Sequence, residues 1–199
     1  VDGASETVQA RHVIAADGMW SPSRKLLGVG LPDYRGDWHA FRQYFTNVTD
    51  AARRDLHVWF EPDLLPGYVW SFPLAVGSAN VGFGIQRDTG HRIQDMKSLW
   101  PEILARPHIA AVLGPEATPE GPHRAWPIPA RLGTVPLTHG PVMWVGDAAA
   151  ATDPMTGEGI GQAIETGRLA IECIVSDPAT AGQSYETALR VSMVKDHGL

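Results

Sequence analysis

Residues 142–170, VMWVGDAAAATDPMTGEGIGQAIETGRLA, restrict the fold of this 199-residue chain more than any other segment. They begin with a continuous apolar run, the mark of a strand buried on both faces. Gly146-Asp147 follows at once, then small residues in a loop over 146–156, then a glycine-punctuated helix start with the helix read over 157–175. A carboxylate at the carboxyl end of a buried strand, with such a helix start beyond it, is how α/β proteins build a ligand crevice. Asp147 can accept hydrogen bonds from sugar-alcohol hydroxyls, and Gly157, Gly159 and Gly161 let backbone N–H groups approach an electron-rich ring. The helix N-terminus adds roughly half a positive charge, worth about 0.3–2 kcal/mol to a nearby anion. A ribityl chain and an isoalloxazine ring meet both demands, with Gly146, Asp147, Pro154, Gly157, Gly159 and Ile160 as the expected contacts. A bare Gly-Asp would be only a turn; the order of strand, Asp, Pro154 and Gly-x-Gly helix start carries the reading. Asp153 and Glu158 stay ambiguous, because acids in a first helical turn stabilise it without any chemistry.

Upstream, residues 13–28 read VIAADGMWSPSRKLLG. A strand over 7–16 ends in Asp17-Gly18, and Ser21-Pro22-Ser23-Arg24 resembles the capped start of a short helix. Asp17, Gly18 and Arg24 thereby offer a carboxylate, a permissive backbone and a guanidinium to something polar and phosphate-bearing. Asp-Gly alone is a common turn, and Arg24 alone could be a solvated helix residue. Their place upstream of the Asp147 segment gives them weight.

The middle of the chain alternates. Residues 39–48, 56–60, 67–74 and 79–85 read as four short strands of a mostly antiparallel sheet. Tyr68, Trp70 and Phe72 share one strand face and form an apolar wall, while Asn80, Gly82 and Gly84 share a face of the next strand, where glycine allows close approach of a flat ring or chain. Both strands could equally fill a core. Residues 92–105 read as a helix interrupted near Pro101, and the Pro/Gly-rich stretch 114–136 is expected to carry the chain away from the sheet. A buried strand over 141–145 follows. In the helix after it, Ile160, Ile164, Ile171 and Ile174 lie on one side. Residues 184–199 read as a last helix.

Composition removes several classes. Net charge is −6 and the sixteen basic residues are scattered, which leaves no electrostatic footprint for nucleic acid. The eight histidines form no ligand-spaced cluster, so no metal is expected, and Ser21 and Ser23 lack the turn of a serine nucleophile. The least charged stretch, 64–86, is too broken by Pro and Gly for a membrane span. Cys173, the single cysteine, reads as a structural thiol in a reducing compartment. The expected location is cytoplasmic, compatible with peripheral contact to a membrane.

At Asp17-Gly18 and Gly146-Asp147 the sequence resembles the flavoprotein hydroxylase-like superfamily, whose members carry such motifs at the pyrophosphate and ribityl chain of FAD. Within it, DPMTGEGIGQAIETGRLA and GYVWSFPLAVGSANVGFGI (residues 67–85) look most like the geranylgeranyl reductase family. The resemblance covers most of the chain and is weak over 88–131. Ala150 stands where the family usually has Gly, and Gly161-Gln162-Ala163 is more like the aromatic hydroxylases. No Gly-x-Gly-x-x-Gly occurs, and that segment is expected before residue 1. The resemblance implies FAD as cofactor, NAD(P)H or a redox protein as electron donor, and a small-molecule or lipid substrate at Tyr68, Trp70, Phe72 and Gly82. It implies an α/β fold: a partial Rossmann-like FAD-binding domain from residues 1–30 and 126–199, with a mostly antiparallel substrate sheet over 31–125. Pro127–Ala130 fits the family's return to the flavin domain. The expected reaction is reduction of isoprenoid double bonds. Alternatives are an aromatic or polyketide hydroxylase, a halogenase, and a non-catalytic remnant.

Overall fold

The computed structural model describes residues 6–193, the side chain of Val76 excepted. In chain order they form β1 (Val13–Ala15), α1 (Pro22–Leu26), β2 (Trp38–Thr46), α2 (Asp50–Arg54), β3 (His57–Trp59), β4 (Tyr68–Leu74), β5 (Ser78–Gln86), α3 (Met96–Leu104), α4 (Pro107–Leu113), β6 (Thr118–Ile128), β7 (Thr138–His139), β8 (Val142–Trp144), α5 (Ile160–Ser176) and α6 (Ala181–Ser192). The chain divides into two compact units. One comprises residues 1–34, 129–154 and 158–199, the other 35–128 with 155–157.

In the first unit β1 and β8 pair in parallel, Val13 opposite Val142 and Ala15 opposite Trp144, and β7 runs antiparallel to β8. All three residues of β8 are buried, as its unbroken apolar run requires. Its core joins Leu132, Leu137, Met143, Trp144, Ala170, Tyr185 and Leu189. The buried Tyr185 hydroxyl donates to the Trp144 carbonyl at 2.6 Å and fixes α6 against β8. The expected strand over 7–16 contracts to three residues. The helix expected from 157 begins at Ile160, because Gly157 takes φ +71° and Gly159 stands at the cap. Ile160, Ile164 and Ile171 of α5 face outward, being 73%, 68% and 52% exposed, while Thr166 and Ala170 face the core. Cys173 and Ile174 pack partly against that core, and burial raises the Cys173 thiol's pKa. The last helix ends at Ser192, and residues 194–199 of the expected helix lie outside the described residues.

The second unit is a five-stranded sheet in the order β3-β4-β5-β2-β6, antiparallel throughout. One face carries Phe41, Phe45, Val69, Val81, Phe83 and Ile85 into a core shared with Trp100 and Ile103 of α3 and Ile109 and Leu113 of α4. Two expectations are corrected here. Pro101 does not interrupt α3, which starts five residues earlier and runs through it. Nor does the stretch 114–136 leave the sheet: residues 118–128 are an eleven-residue edge strand paired with β2. Prolines 119, 122 and 127 are compatible with an edge, where a missing N–H need not disturb a second neighbour.

Candidate functional site

In the first unit the Asp17 loop and the Asp147 turn are knitted together. Asp17 lies two residues past β1, and its carboxylate accepts the Ser21 hydroxyl at 2.9 Å and the Ser23 N–H at 2.8 Å. Burial opposes its ionisation, but these bonds from Ser23 and Ser21 outweigh it and lower the pKa. Gly18, at φ +77°, closes the turn by accepting the Ser21 N–H. Ser23 in turn accepts the Trp144 indole N–H at 2.9 Å. Arg24 turns inward and is 3% exposed. Its Nε donates to the Ala148 carbonyl at 2.9 Å, its Nη2 to the Pro136 carbonyl at 2.5 Å, and its guanidinium lies 4.1 Å over the Trp144 ring. Burial lowers its pKa to about 10 against the pull of Asp17, so it stays charged at neutral pH.

After β8 the chain makes a tight turn, Gly146–Ala149, with Gly146 at φ +56° and Ala150 in the left-handed region at φ 53°. A Cβ on Gly146 would stand 3.1 Å from that of Ala163, so glycine also lets α5 approach. The Gly146 N–H donates to the buried Thr166 hydroxyl at 2.9 Å. Asp147 is half-buried and accepts a single long side-chain bond among the described residues, from Thr152 at 3.5 Å. Desolvation raises its pKa, with the Thr152 hydrogen bond opposing. The start of α5 lies against it: a Cβ on Gly159 would be 3.2 Å from Thr152 Oγ1 and 3.6 Å from Asp147 Oδ1. The N–H groups of Gly159, the cap residue, and Ile160 both donate to Glu158 Oε1 at 3.1 Å.

The structure thus brings Asp147 and Gly159 together and ties Arg24 to the residue after Asp147. Pro154 ends its segment of the first unit, half-buried, whereas Gly157 belongs to the second unit beside the Trp38 ring. Ile160 contributes its N–H to the helix start and turns its side chain outward. The cap-like start read at Ser21 is present, its hydroxyl accepting the Arg24 N–H at 3.4 Å. Sequence reasoning missed Thr152 beside Asp147 and the bonds from Ser21 and Ser23 to the Asp17 carboxylate.

In the second unit the free face of the sheet holds the aromatic strand. Tyr68 stands opposite Gly84, Trp70 opposite Gly82 and Phe72 opposite Asn80. Phe60, Tyr68, Trp70 and Phe72 form a ladder with successive ring centroids 5.9 Å apart. The Trp70 indole lies across Gly82, where a Cβ would come within 2.4 Å of Cζ2. The flat ring that Gly82 admits is therefore Trp70's own. The Tyr68 hydroxyl donates to the Thr156 carbonyl at 2.7 Å.

Residues 1–171 match the FAD binding domain family. The chain belongs to that family. Digeranylgeranylglycerophospholipid reductase 1 of Methanopyrus kandleri is 32% identical over 193 residues, covering 90% of this chain and 48% of the relative. The menaquinone reductase of Mycolicibacterium smegmatis is 32% identical over 190 residues, covering 87% and 43%. The chain thus spans about half the length of the curated relatives it matches. Among solved structures, a geranylgeranyl bacteriochlorophyll reductase-like protein of Thermoplasma acidophilum aligns with TM-score 0.72 and 25% identity, over 95% of this chain and 48% of that one. The myxobacterial chondrochloren halogenase shares the fold, with TM-score 0.69 and 22% identity over 95% and 45%.

The residues present fit FAD. Asp147 is a partly desolvated carboxylate with acceptor capacity to spare, and Gly159 leaves open the space beside it that a Cβ would fill. Among the described residues, the amides of Gly159 and Ile160 are covered by the exposed Glu158. Among the described residues no His, Cys, Asp or Glu cluster could hold a metal ion, and no helix is long and apolar enough to cross a membrane.

Proposed function

We propose that this chain is part of an FAD-dependent reductase that saturates carbon–carbon double bonds of an isoprenoid or prenyl lipid. The observation that carries the proposal is the register of β4 on β5, which sets Tyr68, Trp70 and Phe72 in one row of rings on the free face of the sheet. An apolar ladder with few polar anchors suits a long hydrocarbon chain, which it can orient while excluding water. The names of the two 32%-identical relatives, one acting on a diprenyl phospholipid and the other on menaquinone, support the same substrate class.

In this reading Asp147 accepts hydrogen bonds from the ribityl hydroxyls, the amides of Gly159 and Ile160 steady negative charge at the flavin's pyrimidine edge, and Asp17, Gly18 and Arg24 order the pyrophosphate end. Gly146, Pro154 and Gly157 shape the backbone around it. Reduced FAD would supply a hydride to one alkene carbon, a proton would add to the other, and NAD(P)H or a redox protein would re-reduce the flavin. The test reduces the full-length protein without air, adds candidate prenyl lipids or phenols, and follows products by mass spectrometry before and after air is admitted. A gain of two hydrogens without oxygen is expected. A product that forms only in air and carries one added oxygen atom would replace this reading with a hydroxylase.

A further inference from the structure

The cross-strand register of the second unit places five residues in one row over the free face: Val58 on β3, Trp70 on β4, Gly82 on β5, Arg42 on β2 and Arg124 on β6. Three of the five are apolar. The other two are arginines directly opposite one another, an arrangement that destabilises a sheet when nothing lies between the charges. Among the described residues neither arginine has an ion-pair partner. Arg42 stacks its guanidinium 4.6 Å over Tyr44, which orients the charge without neutralising it. Against these two paired strands lies a recess of about 560 Å³ lined by Ala40, Arg42, Arg124, Ala125, Trp126 and Ile128, within the ordinary range for small-molecule sites. Next to this pair, β6 carries the bulge that interrupts its register with β2 between Arg42 and Tyr44.

We propose that Arg42 and Arg124 together bind the phosphate of an amphiphilic substrate whose apolar chain lies over Trp70. This rests on the substrate reading above and narrows it from any prenyl lipid to an anionic one. Two planar guanidiniums can each give paired N–H donors to one phosphate, which removes their mutual repulsion and explains why the sheet tolerates them in register. Strand spacing sets Arg42 roughly 10 Å and Arg124 roughly 14 Å from Trp70 across the sheet, so head group and chain would be read on one continuous surface. A neutral quinone would leave both charges unanswered.

The test uses calorimetry on the full-length protein reconstituted with FAD, with farnesyl monophosphate, farnesol and inorganic phosphate as probes. Farnesyl monophosphate should bind at least about 10-fold more tightly than farnesol, the two differing only in the phosphate. The double variant Arg42→Gln/Arg124→Gln should bind both alike, with its farnesol affinity unchanged, and Arg→Lys at either position should keep part of the preference. Equal binding of the two prenyl probes by the parent would overturn the head-group proposal and leave the reductase reading standing. Failure of the parent to bind either prenyl probe would remove both. Inorganic phosphate binding as tightly as farnesyl monophosphate would assign the pair to free phosphate and overturn the amphiphile. Arg124→Gln should hold or raise the unfolding midpoint, since it relieves repulsion; a clear fall would make the pair structural instead.

Discussion

Arg24 Nε donates to the carbonyl oxygen of Ala148 across 2.9 Å, so the helix that follows Asp17 is bound directly to the turn that carries Asp147. With Nη2 on the Pro136 carbonyl, one buried side chain satisfies backbone acceptors in two other segments. Arg24→Met keeps much of the volume but strands both carbonyls, a loss of roughly 2–6 kcal/mol. The unpartnered, buried Nη1 acts in the other direction and favours the lower half of that range. Urea unfolding of parent and variant measures it, and FAD affinity of the full-length protein should fall with it because the Asp147 turn loses its brace. A parental unfolding midpoint would show that the arginine holds nothing together.

Asp147 sets stability against binding. Its folded pKa lies above the ordinary 3.8 because burial disfavours the carboxylate. As pH rises from below 3.8 through the folded value, the native state holds its proton longer than the unfolded chain, so stability falls across that window and the penalty persists at neutral pH. Asp147→Asn removes it. Without FAD, the variant should unfold at a higher midpoint than the parent at pH 7, and the gap should close as pH drops below the unfolded value. With FAD the order should reverse if Asp147 makes the proposed ribityl contact, since an amide is a weaker acceptor for a hydroxyl than a carboxylate. Thermal scans across pH, with and without FAD, read both effects. A variant less stable than the parent at neutral pH without FAD would contradict the burial argument.

The sequence was most legible where periodicity and a motif coincided. The face shared by Tyr68, Trp70 and Phe72 follows from a strand period of two, and β4 and β5 pair as that alternation requires. The buried run before Gly146 likewise became β8. Legibility failed where tertiary context overrode local preference. Three prolines in residues 118–128 argue against a strand in isolation, yet an edge position removes the objection. Arg24 reads as a guanidinium offered to a phosphate-bearing group, with a solvated helix residue as the alternative, and only the fold reveals the two carbonyls it bonds. Ile160, Ile164 and Ile171 of α5 are exposed together while Ile174 packs partly against the core, since periodicity cannot say which side of a helix a neighbour will cover.

Ala150, which the resemblance marks as standing where a Gly is expected, has a visible physical consequence. It is 1% exposed and sits at φ 53°, ψ 40°, the left-handed region that costs an L-residue about 1–2 kcal/mol. Ala150→Gly relieves that strain but gives up a buried methyl worth about 0.8 kcal/mol and adds unfolded-state entropy, so its stability should stay within about 1 kcal/mol of the parent. Ala150→Val should be far worse, because a β-branched side chain is a steric outlier in that conformation. Chemical unfolding of the pair decides it. Equal tolerance of Gly and Val would mean that the turn after Asp147 is not left-handed.

Gly82 and Trp70 offer the most direct test of the aromatic face. A Cβ added at Gly82 would stand 2.4 Å from Trp70 Cζ2, 2.8 Å from Cε2 and 2.5 Å from the Phe41 carbonyl oxygen. The indole cannot slide away freely, because Tyr68 and Phe72 flank it at 5.9 Å and its Nε1 faces Asn80 Oδ1 at 3.5 Å. Nor can the Phe41 carbonyl, which belongs to β2 between two paired neighbours. Gly82→Ala should therefore cost roughly 1–3 kcal/mol by overpacking. In a Trp70→Ala background the same substitution should cost less, since the indole is gone, but more than nothing, since the carbonyl remains. A double-mutant cycle by chemical unfolding should then give a coupling of roughly 0.5–2 kcal/mol between the two sites. On the proposed prenyl-lipid reading, Trp70→Ala in the full-length protein should also change which chain lengths or double bonds are reduced, because the wall proposed to orient the chain would lose its largest ring. Zero coupling would mean that the indole does not lie over Gly82. An unchanged product pattern from a variant with the expected coupling would show that the ladder builds the sheet without touching the substrate.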